Sequence, residues 1–129
     1  MLDGRGAAQQ LLCRETFDII QPDVSLCGGI GECLFVAEMA RLWGVQCNPH
    51  CWAGAITIAA TVHVLALIPE PTWGHTPETP MLELDLIENP FRDRLVTRPV
   101  EVLDGHVAVP AGPGLGVEID EDVVKHYQK

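Results

Sequence analysis

The chain has 129 residues and 47% of them are apolar, which allows one modest domain with a real core and excludes a disordered chain. Its formal net charge of −10 excludes a general attraction for nucleic acid or an anionic membrane surface. No basic start leads into an apolar stretch, and the longest apolar run, residues 53–68, is short for a bilayer and holds Thr57, Thr61 and His63, so a cytoplasmic protein without a membrane partner is expected.

Residues 3–15 read as a helix, with Ala7, Ala8, Leu11 and Leu12 on one face. Residues 17–21 are a short apolar run ended by Pro22, which reads as a strand. Gly28 and Gly29 give a tight turn into a helix from about residue 30 to 43, with Ile30, Cys33, Leu34, Ala37 and Ala40 on its buried stripe. Gly44 is its natural stop. Residues 45–48 are the next strand, stopped by Pro49. Residues 55–68 are a helix apolar almost all round, which requires cover on more than one side, and a partner domain or subunit is expected to supply it. Residues 69–80, with Trp73 and His75, read as a loop. Residues 81–86 alternate Leu82, Leu84 and Leu86 against Glu83 and Asp85, as a third strand would. After Asn89 and Pro90 the pattern changes. Residues 100–103 and 106–109 flank Asp104-Gly105, a strong hairpin signal. The glycine-rich loop 110–116 lacks the Lys-Ser/Thr ending of a phosphate cradle. A terminal helix starts near Asp120, a suitable N-cap. The organisation expected is an α/β part over 1–89 and a hairpin tail over 90–129.

Three polar residues each follow a short apolar run: Asp23, His50 and Glu83, separated by 27 and 33 positions. A strand, crossover helix and next parallel strand take about 30 residues. The spacing therefore places one reactive side chain at the carboxyl end of each of three successive parallel strands, where α/β folds carry their chemistry. Two acids and an imidazole converging there form a proton-transfer site. Each also has a plain alternative, as a strand-end histidine, a turn acid after Pro22 and a solvated carboxylate. Trp52 reads either as a pocket wall or as a packed core aromatic. Arg92 and Arg94 read as surface charge before substrate ligands, His63 as a packing residue, and His75, His106 and His126 as surface groups. The cysteines Cys13, Cys27, Cys33, Cys47 and Cys51 are odd in number and irregularly spaced, which points to reduced thiols. Cys47, His50 and Cys51 make only one cluster, whereas zinc asks for four ligands.

Gln21-Pro22-Asp23 with Cys27-Gly28-Gly29-Ile30, Pro49-His50-Cys51-Trp52, Leu82-Glu83-Leu84-Asp85, Asn89-Pro90-Phe91-Arg92 and Pro110 to Gly116, in this order, resemble the mandelate racemase/muconate lactonizing enzyme branch of the enolase superfamily. Within it they look most like acid-sugar dehydratases and sugar-acid lactone cycloisomerases. The resemblance implies an α/β fold, namely about three βα units from the C-terminal part of a TIM-type (β/α)8 barrel plus a hairpin tail. It implies abstraction of the proton alpha to a carboxylate of a small sugar acid or its lactone. His50 would be the general base or acid, Asp23 its hydrogen-bonded partner, and Glu83 a neutral acid donating to the developing enolate, with Trp52 near the substrate. A buried Asp beside His raises its basicity, and a carboxyl donates only when protonated.

The same resemblance implies Mg²⁺ held by three carboxylates after the third, fourth and fifth strands, and a second base after the second. None of these has a counterpart in the 129 residues. The expectation is a chain inactive alone that forms a homo-oligomer or joins a missing N-terminal part. The alternative is a non-catalytic oligomerising module built on the same barrel segment.

Overall fold

The computed structural model describes residues 4–15, 17–69 and 80–128. The expected loop, with Trp73 and His75, lies outside the described residues from 70 to 79. The order of elements is α1 (Gly4–Leu12), β1 (Ile19–Ile20), α2 (Ile30–Leu42), β2 (Gln46–Cys47), α3 (Ala55–Leu67), α4 (Pro90–Asp93), β3 (Val102–Leu103), β4 (His106–Val107) and α5 (Glu121–Tyr127).

α1 buries Ala8 and Leu12, the face its apolar spacing marks. It is shorter than the sequence suggests, because residues 13–15 turn away and Glu15 takes φ 49°. α2 ends in a Schellman arrangement. Gly44 has φ 68°, Val45 N–H donates to Ala40 O at 2.9 Å, and Gly44 N–H donates to Arg41 O at 3.2 Å. That turn reverses the chain into β2, which runs parallel to β1 with Ile19 opposite Gln46 and Ile20 opposite Cys47. Gln46, Asn48 and His50 donate in turn to the carbonyls of Asp18, Ile20 and Pro22, and a parallel bridge joins Asp23 to His50. The architecture is a part of a TIM-type barrel, two parallel strands with their helices outside, followed by the antiparallel hairpin β3–β4.

The third expected strand does not form: residues 81–86 make no ladder with β2. The reason lies in β2. Alternate residues of a strand direct their N–H groups to opposite neighbours, and those of 46, 48 and 50 are taken by β1. Positions 47, 49 and 51 face the other side, where Pro49 has no N–H and Cys51 donates to the Glu83 side chain. Side chains do the work of the missing ladder.

Three buried clusters make the core. Ala8, Leu12, Ile20, Val36, Ala37, Ala40 and Cys47 pack α1 and α2 against the strands. Val24, Cys27, Cys33, Ala60 and Val64 join α2 to α3, with Leu115 against them. Cys51, Ile58 and Val62 meet Leu82, Leu84, Val100 and Val107. α3 is therefore covered by the chain's own tail, through the hairpin and the Leu115 loop, and His63 Nε2 lies 3.1 Å from Leu115 O. The tail thus supplies part of the cover for which the sequence pointed to another domain or subunit. Ile56 and Leu67 are the large apolar side chains of α3 left exposed. Among the described residues no helix is long and apolar enough to cross a membrane.

Candidate active site at the strand ends

Pro22 and Pro49, both fully buried, end the two parallel strands and fix where the chain leaves the sheet. His50 N–H donates to Pro22 O at 3.1 Å, so His50 and Asp23 stand side by side at the strand ends. Glu83 reaches them from the segment beyond. Its Oε2 lies 2.5 Å from His50 Nδ1 and accepts from Cys51 N–H at 3.2 Å, and its Oε1 accepts from Gln21 Nε2 at 2.8 Å. An ionised carboxylate only accepts, so the proton in the short contact sits on Nδ1, and in the neutral imidazole the lone pair is then on Nε2. Nε2 has no partner among the described residues.

The site is open: the His50 and Glu83 side chains keep 42% and 41% of their exposure. Burial still raises the Glu83 carboxyl, but Cys51 N–H, His50 and Gln21 hold it below the ordinary range. A carboxylate with three donors and this much water is stable as the anion. Without substrate the balance thus favours the anion, whereas the neutral form was expected beside an enolate.

Asp23 is buried, yet its carboxylate does not brace His50. Asp23 Oδ1 accepts from Ser25 N–H at 2.7 Å and Ser25 Oγ at 2.5 Å. An Asp with Ser two residues on closes this local turn whenever the backbone allows it. The imidazole takes Glu83 instead of the expected Asp23. Trp52, two positions beyond His50, is 64% exposed, which removes the core-aromatic reading.

Gln21 is a site residue that the reading of the sequence overlooked. It lies two positions before Asp23, and strand alternation puts both on one face, so the signal was present. Arg92 is not free for a substrate carboxylate. Its guanidinium donates to Asp85 O and Oδ1 at 2.7 and 2.6 Å and to Asp93 Oδ1 and Oδ2 at 2.7 and 3.0 Å.

The metal question has a plain answer among the described residues: no three His, Cys, Asp or Glu side chains converge as a cation site. His50 is engaged with Glu83, Asp23 with Ser25, and Asp85 with Arg92. The residues present therefore do not fit a magnesium ion. Burial raises the Cys47 thiol to about 12 and pushes Cys51 up as well, and no group of three ligating side chains forms around them among the described residues.

The family described as Enolase C-terminal domain-like matches residues 1–123. A D-galactarolactone cycloisomerase of Agrobacterium fabrum is 38% identical over 126 residues, which is 97% of this chain and 33% of that protein. An arabinonate dehydratase of Saccharolobus solfataricus is 32% identical over 92% of this chain and 30% of its own length. The crystal structure of the 3,6-anhydro-D-galactonate cycloisomerase of Zobellia galactanivorans superposes with a TM-score of 0.84 at 33% identity, over 98% of this chain and 33% of that one. The chain thus spans about a third of the length of the relatives it matches.

Proposed function

The chain belongs to the Enolase C-terminal domain-like family, and from that premise we propose that it is the acid–base part of an enzyme that removes the proton alpha to the carboxylate of a sugar acid or its lactone. The observation that carries this is the 2.5 Å contact of His50 Nδ1 with Glu83 Oε2, between residues 33 positions apart. With Nδ1–H directed at a carboxylate, the imidazole has one tautomer and one orientation, with Nε2 left to take a proton. His50 takes the alpha proton at Nε2 and returns it to the intermediate or the leaving group. Glu83 stabilises the imidazolium so formed, and Gln21 and Cys51 N–H hold Glu83. Asp23 is a positioning residue beside His50, and Trp52 is an exposed wall for the sugar. The family likeness supports a dehydratase or a lactone cycloisomerase, and Mg²⁺ would hold the enediolate in such an enzyme. The described residues do not form its site, so the isolated chain is expected to be inactive.

The test is a chimera in which residues 1–129 replace the matching third of the Agrobacterium cycloisomerase. Cycloisomerisation of galactarolactone is expected, with a loss of about a hundredfold or more in His50→Asn, the usual scale of a general base. A folded chimera that is inactive, or that works equally well with Asn at position 50, refutes the proposal. Turnover by the isolated chain would refute its expected inactivity.

A second reading, a non-catalytic assembly module, draws on exposed apolar side chains of β1 and of the segment after α3: Ile19, Met81, Leu86 and Ile87. A discrete oligomer by light scattering, together with an inactive chimera, would favour it.

A further inference from the structure

Glu83 stands on a segment that no backbone ladder holds, so its position is set by side chains: Leu82 and Leu84 pack on the Cys51, Ile58 and Val62 cluster, and ties are made at both ends. At the first end the tie is long: Met81 N–H donates to Asn48 Oδ1 at 3.4 Å. At the other end Arg92 grips Asp85, donating from Nη1 to the Asp85 carbonyl at 2.7 Å and to its carboxylate at 2.6 Å. Ile87 N–H closes a turn on the same Oδ1 at 3.1 Å. The guanidinium and the Asp85 side chain are only 16% and 15% exposed. Asp93 takes the remaining edge of the fork, which fixes the guanidinium plane.

Arg92 is itself well anchored. α4 begins at Asn89, whose side chain accepts from Phe91 N–H at 3.1 Å, and Pro90 occupies its first turn. Phe91 lies so close to Gly54, the residue before α3, that a Cβ there would sit 3.1 Å from Phe91 O. α4 is thus seated on the start of α3. Packing alone does not fix the segment between, because a cleft of about 240 Å³ lies against it, lined in part by Ile58, Leu84, Asp85, Arg92 and Val100.

We propose that Arg92 is the positioning residue for Glu83: by holding the Asp85 carbonyl and carboxylate from α4, it sets the 81–86 segment at the register in which Glu83 meets His50. The functional meaning rests on the acid–base reading above, but the contact itself is measurable without substrate. Failure of the chimera would leave this inference standing, and the reverse also holds. Arg92 makes no hydrogen bond or ion pair with Glu83; its tie to the segment runs through Asp85.

The experiment is a pH titration of the isotope-labelled full chain by NMR, following the Glu83 carboxyl carbon and the Cys51 amide. In the native chain the Cys51 amide is expected to follow the Glu83 transition, below the ordinary glutamate range. In Arg92→Gln the Glu83 midpoint is expected to rise toward that range and the Cys51 amide to stop following it, with the helical circular dichroism unchanged. Arg92→Lys keeps the charge but not the fork. It is expected to give a smaller shift in the same direction, and it decides the matter if Arg92→Gln does not fold. A folded variant with the Glu83 midpoint and the Cys51 response both unaltered overturns the proposal.

Discussion

Thr61→Val is a change whose sign the structure fixes. Thr61 is fully buried in α3, and its hydroxyl oxygen has no hydrogen-bond partner. The Cys51 thiol is close enough to feel the hydroxyl, but the geometry falls short of a hydrogen bond, so the hydroxyl counts as unsatisfied. A buried hydroxyl without a partner costs about 1–3 kcal/mol by mutational measures. Valine puts a methyl where the hydroxyl stood, leaves no cavity, and has nearly the same helix propensity. The lost thiol contact is a second-order term. The net expectation is a gain of about 1 kcal/mol, or roughly 3–6 °C in Tm for a chain of this size. Thermal unfolding followed by circular dichroism measures it, with Thr61→Ala as the control that opens a void and loses stability. A second readout is the Cys51 thiol, which burial raises and Thr61 lowers. Thr61→Val should move it further up and slow its alkylation. If Thr61→Val lowers Tm by several degrees, the hydroxyl has a partner and the accounting is wrong.

Two further perturbations address the frame around the site. Glu32 at the start of α2 accepts from Nε and Nη2 of Arg5, whose hydrogen bonds hold its carboxyl at about 2. A depressed folded value means the pair stabilises fully above the ordinary carboxylate range and stops doing so as pH falls through about 2. The urea midpoints of the native chain and Glu32→Gln should thus differ at pH 7 and converge near pH 2; a gap that persists in acid contradicts this. Gly116 has φ 70°, and a Cβ there would lie 2.7 Å from the Pro110 carbonyl carbon and oxygen. Gly116→Ala should cost about 2–4 kcal/mol through left-handed strain and overpacking. It should also free His63 from Leu115 O, seen as a changed His63 ring signal, and wild-type stability in this variant would show that the loop rearranges without cost.

The features legible in the sequence are those set by residues close together in the chain. Gly44 after an apolar stripe ends α2, Asp104-Gly105 makes the hairpin, and Asp120 accepts from Asp122 and Val123 N–H to cap α5. The strand ends at Pro22 and Pro49 were equally plain. The missing third strand was legible in principle, since Pro49 sits where that strand needs a donor, but only once the facing of each N–H is known. The turn after α1 was not, because Glu15 adopts a conformation that glycine usually supplies. The cover of α3 by Val100, Val107 and Leu115 depends on where the tail folds back, which no local pattern encodes. At the site, spacing alone brought His50 and Glu83 to one end of the sheet. It left undecided which acid the imidazole meets, because that depends on Ser25 occupying Asp23 first.

The protonation of Glu83 shows how two opposing effects of similar size settle a role. Burial is the largest single influence on its carboxyl, and it favours the neutral form. Three donors, each weaker than burial, together overcome it while 41% of the side chain stays in water. An acid meant to donate to an enediolate needs the reverse balance. Substrate or a cover over the strand ends would strip away that water and strengthen the burial effect. Proton uptake at His50 Nε2 acts the other way, because it leaves an imidazolium against the carboxylate. In the proposed reaction Glu83 would therefore stay the anion while His50 holds the alpha proton, and would become a donor only where water is excluded and His50 is neutral again. On that proposal the order of these two events, rather than the identity of the residues, would decide whether Glu83 serves the base or the intermediate.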